Sequence, residues 1–230
     1  MTRTIGLIGG MSWESSAAYY RMLNEEARRR LGGHHGARSV LLTVDFAEIE
    51  AMQRAGDWEG GGRLLAEAAT TVERAGADLV LLCTNTMHRV ADAVEAALTV
   101  PFVHIVDATA RRITAAGLIR IGLLGTRFTM EMDFYRERMR RYGVEVLVPQ
   151  EPDRTLVHDV IYQELTRNRI ESSSRDAYRR IMAGLADRGA EGIVLGCTEI
   201  TLLVGPADSP VPVFDSTRIH VEAALDLALT

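Results

Sequence analysis

Ile5-Gly6-Leu7-Ile8-Gly9 recurs 116 residues later as Ile121-Gly122-Leu123-Leu124-Gly125. A short apolar run that ends on glycine reads as a buried strand about to turn into a crossover. Two further echoes keep the same order. Gly76-Ala77-Asp78 introduces the run ending in Cys83-Thr84, and 113 residues on, Gly189-Ala190-Glu191 introduces the run ending in Gly196-Cys197. Val100-Pro101 is matched by Val211-Pro212. Three echoes in register imply a duplicated chain.

Working outward, strand candidates are Thr4 to Ile8, Val40 to Val44, Leu79 to Leu82, Phe102 to Ile105, Ile121 to Leu124, Val144 to Val148, Gly192 to Leu195 and Val213 to Phe214. Between them, apolar residues recur at helical spacing over Ser15 to Arg30, Gly61 to Arg74, Ala91 to Leu98, Asp107 to Ala116, Met130 to Tyr142 and Ser174 to Arg188. Strands alternating with crossover helices predict an α/β fold. The duplication predicts two pseudosymmetric lobes, residues 1–115 and 116–230, each a mostly parallel sheet flanked by helices, with an active site in the cleft between them. The polar stretches Glu48 to Gly60 and Gln150 to Ile170 read as rim loops.

Composition narrows the function. All 26 basic side chains are arginine against 31 acidic ones, for a net charge of −5. This charge balance offers no basic surface for nucleic acid. With no lysine, the chain cannot form a pyridoxal phosphate aldimine. Two cysteines are too few for a secreted disulfide scaffold, and no apolar run approaches the length of a membrane span. The first apolar run lacks the flanks of a signal peptide. A soluble, cytoplasmic protein is expected. His34-His35 and the other histidines lack partners at ligand spacing, so no metal site is expected. Arg28 to Arg30 and Arg136 to Arg141 read as solvated helix faces.

Counting eight residues from each Gly-Ala-acid turn reaches Thr84 in the first half and Cys197 in the second. Both then sit at the C-terminal end of a parallel strand, where such sheets place ligands. Two acid/base groups on opposite faces of one carbon suit proton removal and return, that is, racemisation or epimerisation. Cysteine can serve at either stage, whereas a threonine hydroxyl is a credible donor and a poor base. Cys83 falls on the opposite strand face and reads as inert. Backbone amides at Asn85-Thr86, Thr198-Glu199 and Ser12 could grip an α-carboxylate. His88, four residues past Thr84, could return its imidazole toward the Thr84 hydroxyl, and Glu199 could orient or deprotonate a neighbour.

Ile5 to Ser12, Cys83-Thr84-Asn85-Thr86-Met87-His88 and Gly196-Cys197-Thr198-Glu199-Ile200 together resemble the aspartate/glutamate racemase family, over essentially the whole chain. The resemblance implies two pseudosymmetric α/β lobes, cofactor-independent catalysis on a small amino acid and a homodimer. It places the second catalytic cysteine on Cys197 and the first on Thr84, where this chain departs from the pattern. It also implies that Thr84, Asn85 and Thr86 line one side of the substrate and Thr198 and Glu199 the other, with Met11 and Gln53 closing the pocket, while Ser12 stays a candidate substrate-binding turn from the reading of the residues. Cysteine in the second half abstracts the proton from L-substrates in that family, so Thr84 implies a bias toward them. Family members that grip the distal carboxylate with lysine do so where this chain has Thr166, leaving Arg167, Arg169, Arg54 or hydrogen-bond donors. Alternatives are a maleate isomerase or decarboxylase of the same superfamily and a catalytically weakened amino-acid-binding sensor.

Overall fold

The computed structural model describes residues 2–230. In the first half the elements are β1 (Ile5–Gly9), α1 (Trp13–Leu31), β2 (Ser39–Thr43), α2 (Phe46–Ala55), α3 (Trp58–Arg74), β3 (Leu79–Leu82), α4 (Ala91–Ala96), β4 (Phe102–Val103) and α5 (Ile105–Ala115). The second half runs β5 (Arg120–Gly125), α6 (Arg127–Glu131), α7 (Asp133–Arg140), β6 (Glu145–Leu147), α8 (Asp153–Gln163), α9 (Ser172–Asp187), β7 (Gly192–Gly196), β8 (Val213–Asp215) and α10 (Ser216–Ala228). The sheets have the same order, β2-β1-β3-β4 and β6-β5-β7-β8, with every pairing parallel. This is the two-sheet α/β architecture that the repeat predicts.

The Gly-Ala-acid echo has a physical role in each half. Gly76 and Gly189 adopt φ of 96° and 93°, a conformation L side chains avoid, and reverse the chain from helix to strand. The alanines that follow are buried. Each acid then returns to the first strand of its own sheet. Asp78 accepts from the Thr4 amide at 2.6 Å, and Glu191 from the Ile119 and Arg120 amides at 2.8 and 3.0 Å. Pro101 and Pro212 also match, since their carbonyls accept from Val80 and Ile193 at 2.9 and 2.8 Å.

The compact units are residues 1–105 with 220–230, and 106–219. They differ from a division at residue 115 because the last helix of each half packs away from its own sheet. Val221, Ala224, Leu225 and Ala228 of α10 share a core with Ile5, Leu7, Tyr19 and Leu23. Asp107 of α5 pairs with Arg138 of α7 through two 2.7 Å bonds.

Three expectations need correction. The stretches read as rim loops carry α2 and α8. Asp45 caps α2 by accepting from the Ala47 amide at 3.0 Å, and Ile49 and Gln53 bury one face. Val157, Val160 and Ile161 do the same for α8. The single helix expected over Met130 to Tyr142 breaks at Met132, whose ψ of 143° is extended, giving α6 and α7. Arg30 is not fully solvated, because it bonds Glu26 at 2.6 Å and Asp226 at 2.5 Å. Arg29, with Arg30 beside it, holds the Glu26 carboxyl down at about 2.

Candidate active site

In the first unit, the β1 and β3 ends and α2 bring several predicted residues together. Ser12 is buried and caps α1, its hydroxyl accepting from the Ser15 amide at 3.2 Å. Ser15 in turn donates its hydroxyl to the Cys83 carbonyl at 3.3 Å, tying this turn to the residue before Thr84. Met11 shares a core cluster with Ile49 and Met87. Gln53 is buried beside them and donates from Nε2 to the Met87 sulfur at 3.2 Å, while its Oε1 has no partner. A buried amide carbonyl without a partner is costly, so Gln53 Oε1 is open to a donor from outside the chain.

Thr84 leaves β3 through a tight turn in which its amide donates to the Leu82 carbonyl at 2.8 Å. Asn85, Thr86 and His88 follow, all buried, with the 3-10 turn spanning Thr86–Val90. His88 departs from expectation. Its Nδ1 lies 2.7 Å from the Thr84 carbonyl oxygen, rather than engaging the hydroxyl, and its Nε2 accepts from the Ile105 amide at 3.2 Å. Both ring nitrogens are committed to backbone. Cys83 is fully buried, and burial raises its thiol far above the ordinary range.

In the second unit, Cys197 follows β7 at the position equivalent to Thr84. It is partly exposed, and its thiol donates to Glu199 Oε2 at 2.9 Å. Burial and the adjacent carboxylate, which disfavours a second negative charge, push the thiol well above its usual range. A carboxylate is a much weaker base than a thiolate, so Glu199 orients the thiol without discharging it. Thr198 pairs its hydroxyl with Thr217 at 2.9 Å, and Ser216 donates to the Leu195 carbonyl at 2.7 Å. Sequence reasoning missed Ser15, Thr217 and Ser216, because serine and threonine at helix starts ordinarily signal only capping. Tyr178 is fully buried, which raises its hydroxyl, and it donates to the Val157 carbonyl at 2.9 Å.

Of the cations proposed for a distal carboxylate, Arg54 is paired with Glu50 at 2.6 Å and Arg169 with Glu171 at 3.1 Å. Thr166 donates its hydroxyl to the Tyr162 carbonyl at 3.0 Å. Arg167 lies exposed in the 3-10 turn Leu165–Arg167. Among the described residues no group of three His, Cys, Asp or Glu side chains could hold a metal ion, and no helix is long and apolar enough to cross a membrane.

Two parallel α/β sheets of identical order, each followed after its third strand by a hydroxyl or thiol residue, define a duplicated α/β protein. The chain belongs to the Asp/Glu/Hydantoin racemase family, whose sequence pattern matches residues 8–224. Members of that family are racemases, a class of isomerase. The chain is 52% identical to a Yersinia pestis protein of known crystal structure, itself only provisionally assigned as an Asp/Glu racemase, with TM-score 0.94 over 99% of this chain and 100% of that one. It is 34% identical to an aspartate racemase homologue from Pyrococcus horikoshii OT3, with TM-score 0.88 over 99% and 100% of the two chains. Among curated proteins it is 24% identical to the broad specificity amino-acid racemase RacX of Bacillus subtilis, over 98% of each chain.

Proposed function

We propose that this protein is a cofactor-independent amino-acid racemase that acts on aspartate, glutamate or a related amino acid by two-base proton transfer and favours L-substrates. The observation that carries this reading is that Thr84 and Cys197 follow equivalent strands of a duplicated fold within a racemase family. In this reading the Cys197 thiol first loses its proton to solvent, and the thiolate removes the α-proton of the L-enantiomer and gives it up to solvent before the next turnover. The carbanion then takes a proton from the Thr84 hydroxyl on its other face, and solvent returns one to the alkoxide. The reverse direction asks a threonine hydroxyl to act as a base, which is why D-substrates are poorly used. Amides at the Asn85-Thr86 and Thr198-Glu199 turns hold the α-carboxylate, the Gln53 carbonyl takes the ammonium group, and Arg167 meets a distal carboxylate.

Incubation of L- and D-aspartate separately in heavy water tests the proposal. Exchange at Cα is expected to be much faster from the L-enantiomer, and Thr84→Cys is expected to raise the D-side rate. Equal rates for the two enantiomers would refute the asymmetry, and tight binding without any exchange would favour a sensor.

A further inference from the structure

We infer that His88 is a positioning residue for the Thr84 half of the reaction, acting through the backbone with a neutral imidazole; the inference rests on the racemase reading. The geometry leaves one protonation pattern. The Thr84 carbonyl requires a donor, so Nδ1 carries the proton, and the Ile105 amide requires a lone pair, so Nε2 does not. A second proton on the ring would set two donors against each other. The ring is 2% exposed, packed edge-on to His104 with centroids 4.5 Å apart and tilted against Phe102 at 5.7 Å.

This contact completes a cage around the Thr84 peptide. The carbonyl before it is held by Ser15, its own amide by Leu82 and its own carbonyl by His88. The second half is built differently. Four residues past Cys197 stands Thr201, whose hydroxyl donates to the Thr198 carbonyl at 2.7 Å, a bond within the turn. The imidazole clamp therefore belongs to the side that carries the weaker acid. A hydroxyl gives up its proton only when it is aimed at the accepting carbon, and a displacement of about 1 Å costs on the order of 100-fold in rate.

The test separates two rates in one experiment. In heavy water with L-substrate, deuterium entering recovered L-amino acid reports proton removal and return by Cys197, whereas appearance of the D-enantiomer reports delivery by Thr84. His88→Leu is expected to lower inversion by on the order of 100-fold while deuterium continues to enter the L-enantiomer at the wild-type rate. His88→Gln, which can both donate and accept, restores inversion in part, and the shorter His88→Asn does not. If the leucine variant does not fold, the glutamine and asparagine variants read the same two rates. Exchange and inversion falling together, as a merely structural loss requires, would overturn the role of His88, as would inversion that is unaffected. Absence of exchange in the wild type with every amino acid tried would overturn the racemase reading itself.

Discussion

Acidification should weaken the first unit through His220, by an amount the structure fixes. Its Nε2 donates to the Val103 carbonyl at 2.6 Å and its Nδ1 accepts from the Tyr19 hydroxyl at 2.8 Å, so the buried ring is neutral and committed at both ends. The rings facing it are Tyr19 and His88, at centroid distances of 5.7 and 5.8 Å. Burial lowers the imidazole from 6.5 to about 4. A folded value below the unfolded one means that the unfolded chain binds the proton more tightly. The stability is therefore fully present above pH 6.5 and is lost as pH falls from there toward 4. The difference corresponds to about 3 kcal/mol, of which about 2.5 kcal/mol is lost by pH 4.5. Glu26 and Asp208, held at about 2 by their arginine partners, lose their contributions mainly below this window. Both tryptophans, Trp13 and Trp58, lie in the same unit as His220, so their fluorescence during urea unfolding reports that unit. His220→Gln preserves one donor and one acceptor without titrating. Between pH 7 and pH 4.5 the wild type should lose about 2.5 kcal/mol more than this variant. Parallel curves for the two proteins would refute the reasoning.

Further outcomes follow from the strand ends. Cys197→Ala should reduce Cα exchange from both enantiomers by on the order of 100-fold to 10,000-fold, measured by proton NMR in heavy water. Glu199→Gln removes the charge that raises the thiol, so the alkaline rise in L-substrate exchange should move to lower pH; an unmoved profile would show that the contact at 2.9 Å does not govern the thiol. Gly10 holds φ of 93°, and a Cβ there would run into the Val44 carbonyl oxygen. Gly10→Ala should therefore cost about 2 to 5 kcal/mol from left-handed strain and overpacking together, read from urea midpoints.

The features legible in the sequence are those whose physics is local. A glycine that must turn left, an alanine that must be buried and an acid that must bond the head of the sheet's first strand occupy three consecutive positions, so Gly76-Ala77-Asp78 and Gly189-Ala190-Glu191 disclose the duplication directly. Helices α2 and α8 were harder to see, because each buries only a narrow stripe and its remaining residues are polar enough to pass for loop. The exchange of terminal helices was not legible at all. The apolar face of α10 needs a core, but nothing in its spacing states which sheet supplies it. His88 shows the same limit at finer scale. Spacing of four returns the imidazole to residue 84, but to its carbonyl and not to the expected hydroxyl.

On the proposed racemase reading, duplication also explains how one scaffold can carry two unlike acids. The sheets, their register and their Gly-Ala-acid turns are shared, so the position of each reactive strand end is set by common packing. The character of each end is set instead by residues two and four places further on. On one side the second residue after the candidate group is Glu199, which bonds the thiol itself and, together with burial, raises it. On the other, the fourth residue is His88, which bonds the peptide and leaves the hydroxyl's chemistry alone. A thiol can be tuned electrically because its ordinary ionisation lies near neutrality, whereas a hydroxyl's does not, so geometry is the available means of improving it. If that division holds, exchanging Thr84 for cysteine raises D-side turnover while leaving the new thiol without a carboxylate partner equivalent to Glu199, and its ionisation should govern D-substrate exchange at lower pH than Cys197 governs L-substrate exchange. Coincident pH profiles for the two directions in Thr84→Cys would show that the neighbouring residues do not set the chemistry of each strand end.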